Sequence, residues 1–389
     1  MPKNIVICCD GTGDEFGATT NSNVVKLYQT LTIDARQSGY YHPGLGTMGA
    51  PNARTWIEKQ WTRVLGLGMG YGFFDYLGDA YHYLMDTYEP GDRIYLFGFS
   101  RGAYTVRALA TILHLFGLLQ RGNEGQFPYI TRMLSKISRN ADGKANQFSV
   151  FWDFKRTFSR NVTLHFVGVW DTVSSVGWVY NPVKLPFSAR NPIMAIGRQA
   201  LSIDERRCFF RQNLWGPAYK KGDRGYFLEQ DQDIKQVWFA GVHSDIGGGY
   251  PEPESGLSKL ALEWMLHEAD DAGLLINIKK ANVVLSNVPP DRDPGHVIAK
   301  PDPCAALHES LHGPWWGLEV LPHSYWNPDD KAKHWEVPMG RHRVMPEDSC
   351  VYQSVVDRIS HCNYKPSNLP QSYTTEPYQH YPKRAGATE

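Results

Sequence analysis

A serine between two glycines stands at Gly98-Phe99-Ser100-Arg101-Gly102, and groups able to activate it follow later in the chain. A serine hydroxyl is a weak nucleophile until a histidine takes its proton and a carboxylate fixes that histidine's tautomer. Asp171 closes the apolar run VTLHFVGVW, and His243 follows QVWFAGV, so the order along the chain is Ser, Asp, His. The chemistry such a set performs is acyl transfer. His243 would remove the Ser100 proton as the hydroxyl oxygen attacks a carbonyl, Asp171 would hold the imidazole, and water would release the acyl group. Backbone N–H groups of Arg101 and of the Gly11-Thr12 turn are expected to face the oxyanion, each worth about 3 to 4 kcal/mol in comparable sites. Asp245 is the rival acid, two places after His243, and His308 is the rival base on a later loop. Asp10, which precedes Gly11, reads equally as an orienting group for that loop and as a turn cap.

Each of these residues needs a rigid mount, and the flanking sequence supplies one. Asn4 to Cys9, Ile94 to Phe99, Val162 to Trp170 and Gln236 to Val242 are apolar, β-rich runs without polar alternation, the pattern of strands buried on both faces. From Arg101 the apolar spacing turns helical through Tyr104, Ala108, Leu109, Ile112 and Leu115. A serine in a sharp strand-to-helix turn requires neighbours without Cβ atoms, which is what G-x-S-x-G provides. Helices are expected at Asn21 to Thr32, Phe73 to Tyr88, Leu257 to Asp271 and Gln199 to Phe210, the last carrying a charged cluster of Asp204, Glu205, Arg206 and Arg207 read as structural pairing. Tyr40 to Thr47 reads as a brief strand, Val283 to Leu285 as another, and Gly66 to Gly72 as a substrate-side loop that lacks the Lys-Ser/Thr of a P-loop. The alternation predicts an α/β fold, a doubly wound, mainly parallel sheet with helical insertions.

Composition narrows the function. The chain has 40 Lys plus Arg and 40 Asp plus Glu, a formal net charge of zero, which argues against a general nucleic-acid binder. The six cysteines show neither zinc spacing nor the density of a disulfide scaffold. No cleaved leader and no apolar run long enough for a membrane span is visible, so the expectation is a soluble, cytoplasmic protein, with signal-independent export as the alternative. Residues 1–364 read as one domain. Within it, 121–160 forms a basic cap insertion (eight Lys or Arg against three Asp or Glu) suited to peripheral contact with a lipid surface, and 290–350 an irregular, aromatic-rich lid or wall. Residues 365–389 read as an extended or disordered tail. No cofactor or metal is implied, and the oligomeric state is not legible.

Four signatures, CDGTGDEF with NSNVVKL, GFSRGAYTVRALA, FVGVWDTVSSVG and FAGVHSDIGGGY, together resemble one family across residues 4 to 275. It is the uncharacterised α/β-hydrolase family related to the catalytic domain of type VI secretion phospholipase effectors. The resemblance implies an α/β-hydrolase fold and hydrolysis of a small-molecule or lipid ester. Ser100 matches the nucleophile, Asp171 the acid of W-D-T-V and His243 the base of G-V-H-S-D, in the chain order of that fold. Two other readings compete: a metal-dependent hydrolase on Asp10, Asp171, His243 and Asp245, and a binding protein that kept the fold without the chemistry.

Overall fold

A computed structural model of the chain describes residues 2–11, 20–44, 70–139, 146–173, 177–178, 181–182, 185–287, 298–327 and 332–382. The core is an eight-stranded sheet. Its strands are β1 (Asn4–Cys9), β2 (Gln37–His42), β3 (Arg93–Phe99), β4 (Leu164–Trp170), β5 (Met194–Ser202), β6 (Asp233–Phe239), β7 (Ser349–Tyr352) and β8 (Tyr373–Glu376). Every pairing is parallel, in the spatial order β8-β7-β6-β5-β4-β3-β1-β2.

Alternate side chains of each strand feed two apolar layers. On one face Ile5, Ile7, Ile94, Leu96, Val167 and Val169 pack against helices α2 (Gly70–Thr87) and α3 (Arg101–Phe116). On the other, Val6, Cys8, Tyr95, Phe97, Phe166 and Trp170 meet α1 (Asn23–Thr30), α7 (Gly256–Asp271) and α8 (Ile278–Val284). Burial on both faces is the reason the strands read as unbroken apolar runs.

The chain passes from β1 outward to β2, then returns to the other side of β1 to lay down β3 and the rest. The reversal opens a crevice beyond the carboxyl ends of β1 and β3, where sheets of this kind place ligands. Gly11 and Ser100 sit at that crevice.

Two local readings change. Gln199 to Phe210 is not a helix: residues up to Ser202 complete β5, and only Cys208–Phe210 form a single 3-10 turn. The charges that imitated a helical face belong to the connecting loop. Val283 to Leu285 is not a strand but the last turn and C-cap of α8, whose start is capped by the Asn277 side chain accepting from Lys280 N–H. Within the tail, Tyr373–Glu376 is extended and is bound into the sheet as its outermost strand. The basic segment 121–160 contains α4 (Phe127–Arg139) and α5 (Asn146–Phe158). Phe127, Ile130, Leu134 and Phe151 anchor it to the α3 layer, and Lys155 Nζ donates to His114 O near the end of α3, roughly 20 Å from Ser100 at 1.5 Å per residue. In the stretch 290–350, α9 (Trp315–Glu319) and a hairpin, His323–Asn327 with Ala332–Glu336, provide regular structure. Residues 66–69 of the glycine-rich loop lie outside the described residues, and Gly70 to Gly72 begin α2. Cys304 and Cys362 are disulfide-bonded, joining this late segment to the end of α10 (Gln353–His361).

Candidate active site

Ser100 has φ 57° and ψ −119°, a conformation that a residue with a Cβ rarely adopts. The surrounding contacts hold it there. Its N–H donates to Trp170 O at 3.1 Å on the neighbouring strand, and α3 begins at the next residue. The glycines of the motif serve close approach: a Cβ on Gly98 would lie 2.6 Å from Gly102 O, and one on Gly102 would lie 2.1 Å from Cys9 O. Gly102 therefore lets α3 start directly against the end of β1.

His243 opens the short helix α6 (His243–Gly247) after β6. Its Nε2 lies 2.8 Å from Ser100 Oγ and its Nδ1 lies 2.5 Å from Asp171 Oδ2. The ring is 4% exposed, held between Phe99 at 4.6 Å and Phe210 at 4.8 Å between ring centroids. Gly247 makes room for this wall, because a Cβ there would fall 1.9 Å from the Phe99 ring. Burial lowers the imidazole pKa, while the Asp171 carboxylate and Glu205 work against that and Arg207 adds to it, so the net direction is downward.

Asp171 is fully buried at the end of β4 with φ 38°. Besides His243 it accepts from Ser202 N–H at 3.0 Å and from both terminal nitrogens of Arg343, Nη1 at 2.5 Å and Nη2 at 2.9 Å. Burial alone would raise its pKa. The Arg343 charge and the His243 hydrogen bond outweigh burial and hold the carboxyl well below its usual range. Glu205, read in the sequence as structural pairing, accepts from the Arg207 side chain and from Ser310 Oγ, and also receives the His243 backbone N–H at 3.2 Å. Its own pKa is brought down to about 2, chiefly by Arg207 against the cost of burial.

The remaining residues separate from this chain of contacts. Asp245 accepts from His308 Nδ1 at 2.7 Å and from Val242 N–H at 3.0 Å. His308 reaches Glu254 at 3.1 Å with its other nitrogen and stacks on Tyr250. The rival acid and rival base thus pair with each other and pin the 302–311 strand of chain to α6. Asp10 accepts from Ser22 Oγ at 2.6 Å, Tyr41 Oη at 2.9 Å and Gly11 N–H at 2.7 Å, and burial raises its pKa to about 6. Gly11 lies against Ser100, the place of its Cβ being 3.3 Å from that of the serine. Its N–H, however, is already given to Asp10. Arg101 is the first residue of α3, and Thr12 lies outside the described residues. Of the four groups considered as metal ligands only Asp171 and His243 meet, and among the described residues no group of three or more His, Cys, Asp or Glu is placed to hold a metal ion.

Arg343 went unread because nothing local marks it: it joins Asp171 across 172 residues of sequence, from a stretch without periodicity. A strained serine at the switch point of a doubly wound parallel sheet is the arrangement of α/β-hydrolase-like proteins, and the fold places the chain in that class. More narrowly, residues 3–268 match the family model for "T6SS, Phospholipase effector Tle1-like, catalytic domain", and the chain belongs to that family. An uncharacterized protein of Saccharomyces cerevisiae is 35% identical over 226 residues, a match spanning 55% of this chain and 33% of the yeast protein. The crystal structure of an uncharacterized protein from Pseudomonas aeruginosa aligns at 17% identity with a TM-score of 0.40, over 71% of this chain and 46% of that one. Among the described residues, no helix is long and apolar enough to cross a membrane.

Proposed function

We propose that this protein is a serine hydrolase of lipid carboxylic esters, with Ser100 as nucleophile, His243 as general base and then acid, and Asp171 as the group that fixes the imidazole. The observation that carries the reading is the unbroken line of contacts, Ser100 Oγ to His243 Nε2 at 2.8 Å and His243 Nδ1 to Asp171 Oδ2 at 2.5 Å. With Asp171 ionised, Nδ1 carries the proton and Nε2 is free to accept one from Ser100. The lowered pKa of His243 keeps the imidazole neutral at pH 7. Attack on the ester carbonyl gives an oxyanion at the start of α3, where the Arg101 N–H and the positive helix end meet it. Collapse of that intermediate expels the alcohol, protonated by His243, and leaves an acyl-enzyme that water hydrolyses by the same route. The lipid part of the assignment rests on the family.

The test is hydrolysis of p-nitrophenyl esters of increasing chain length and of phospholipid vesicles by the wild type and by Asp171→Asn. The variant should keep KM and lose about 10⁴-fold in kcat. The wild-type profile should rise with pH and level off below about pH 6.5, the ordinary imidazole value. Full activity in Asp171→Asn, or a limb well above neutrality, would contradict the assignment.

A further inference from the structure

We propose that Arg343 is the positioning residue of this site, a guanidinium that fixes both carboxylate oxygens of Asp171 and through them the orientation of His243. The proposal rests on the triad reading above and extends it to a part of the chain that lies beyond residues 3–268, the span of the family match.

The side chain is 1% exposed, and all three of its nitrogens are engaged. Nη1 donates to Asp171 Oδ1 at 2.5 Å and to Ser202 O at 3.2 Å, Nη2 donates to Asp171 Oδ2 at 2.9 Å, and Nε donates to Phe210 O at 3.0 Å. A planar fork of this kind sets the plane of a carboxylate as well as its distance, which a lysine cannot do. Oδ2 is left facing His243 Nδ1, while Oδ1 is closed off by Nη1 and the Ser202 N–H. Arg343 also holds the carbonyl of Phe210, whose ring packs on His243. One guanidinium therefore fixes the hydrogen-bond partner of the imidazole and one of its walls.

Charge makes the role measurable. Among the described residues the ionisable groups facing the Asp171–His243 pair are Arg343, Arg207 and Glu205. Arg207 and Glu205 form a salt bridge at 2.8 Å with each other, which leaves Arg343 as the cation matched to Asp171. Removing it takes a positive charge from the pair, so protonation of the pair, which blocks the base, must occur at higher pH.

The experiment compares wild type, Arg343→Gln and Arg343→Lys by kcat and KM for a soluble ester across pH 4.5 to 9, with thermal melts by circular dichroism. Arg343→Gln should keep KM within about twofold and lose about 100-fold in kcat, the cost of a small misplacement. Its acidic limb should move up by about one pH unit. Arg343→Lys should return the limb toward the wild-type position and recover only part of kcat, because the charge is restored and the fork is not. A folded Arg343→Gln with wild-type kcat and an unmoved limb overturns the proposal. So does a kcat that falls only in step with the folded fraction while the limb stays in place. Where Arg343→Gln does not fold, Arg343→Lys decides: lowered kcat at unchanged KM supports the role, and unchanged kcat overturns it. A wild type without esterase activity removes the triad reading and Arg343's role with it, an outcome distinct from an active wild type with unaffected variants.

Discussion

Asp10 and Asp171 are both buried carboxylates at strand ends, and their surroundings drive them in opposite directions. Asp171 faces the Arg343 cation, so its ionised form is favoured in the fold. That contribution is present above the carboxylate's unfolded pKa near 3.9 and is lost as pH falls through the lower folded value. Among the described residues Asp10 has only neutral donors, Ser22, Tyr41 and the Gly11 N–H, and burial raises it to about 6. Here the sign reverses: the proton is held by the folded state, so stability falls as pH rises from the unfolded pKa to about 6. Asp10→Asn should remove this penalty. Urea unfolding of wild type and variant at pH 4.5 and pH 7.5 should show the variant gaining about 2 kcal/mol on the wild type between the two conditions. A difference between the two proteins that does not change with pH would contradict the charged-state assignment of Asp10.

At the scale of elements, the turn between β3 and α3 depends on backbone approach more than on side-chain packing. Alanine at Gly102 would bring a Cβ to 2.1 Å from Cys9 O and 2.5 Å from Asp10 O, both main-chain atoms that cannot swing aside. Gly102→Ala should cost at least about 3 kcal/mol in urea unfolding. Gly125→Ala, where a Cβ meets nothing within 4 Å, should stay within about 0.5 kcal/mol of wild type. Equal midpoints for the two variants would mean that the turn yields more easily than its contacts imply. These elements were legible where burial is uniform: β1, β3 and β4 are apolar on both faces, and the motif announces the turn. β5 was misread because Arg198 and Gln199 sit in its middle. Arg198 is masked in the fold by Glu268 from α7 and Asp233 from β6, a compensation from distant segments that no local pattern displays. In the tail, β8 is short, polar and largely exposed, and it gains its order from pairing with β7.

Across the whole molecule, the site joins residues that the sequence scatters and the sheet gathers. Ser100, Asp171 and His243 could be picked out in advance because each follows a buried strand, and parallel strands bring their carboxyl ends to one edge. The sequence reading set Asp171 and His243 ahead of Asp245 and His308, and in the structure Asp245 pairs with His308 while His243 lies beside Ser100. Arg343 could not be foreseen, because its partner lies 172 residues away. The measurement that tests the central claim most directly is labelling of the purified protein with a fluorophosphonate, read by intact mass and by mapping of the modified peptide. The account predicts one adduct on Ser100 in wild type, none in Ser100→Ala, and labelling slowed by at least about 10³-fold in His243→Ala. A folded wild type that takes no label, or that carries the adduct on another residue, would contradict it.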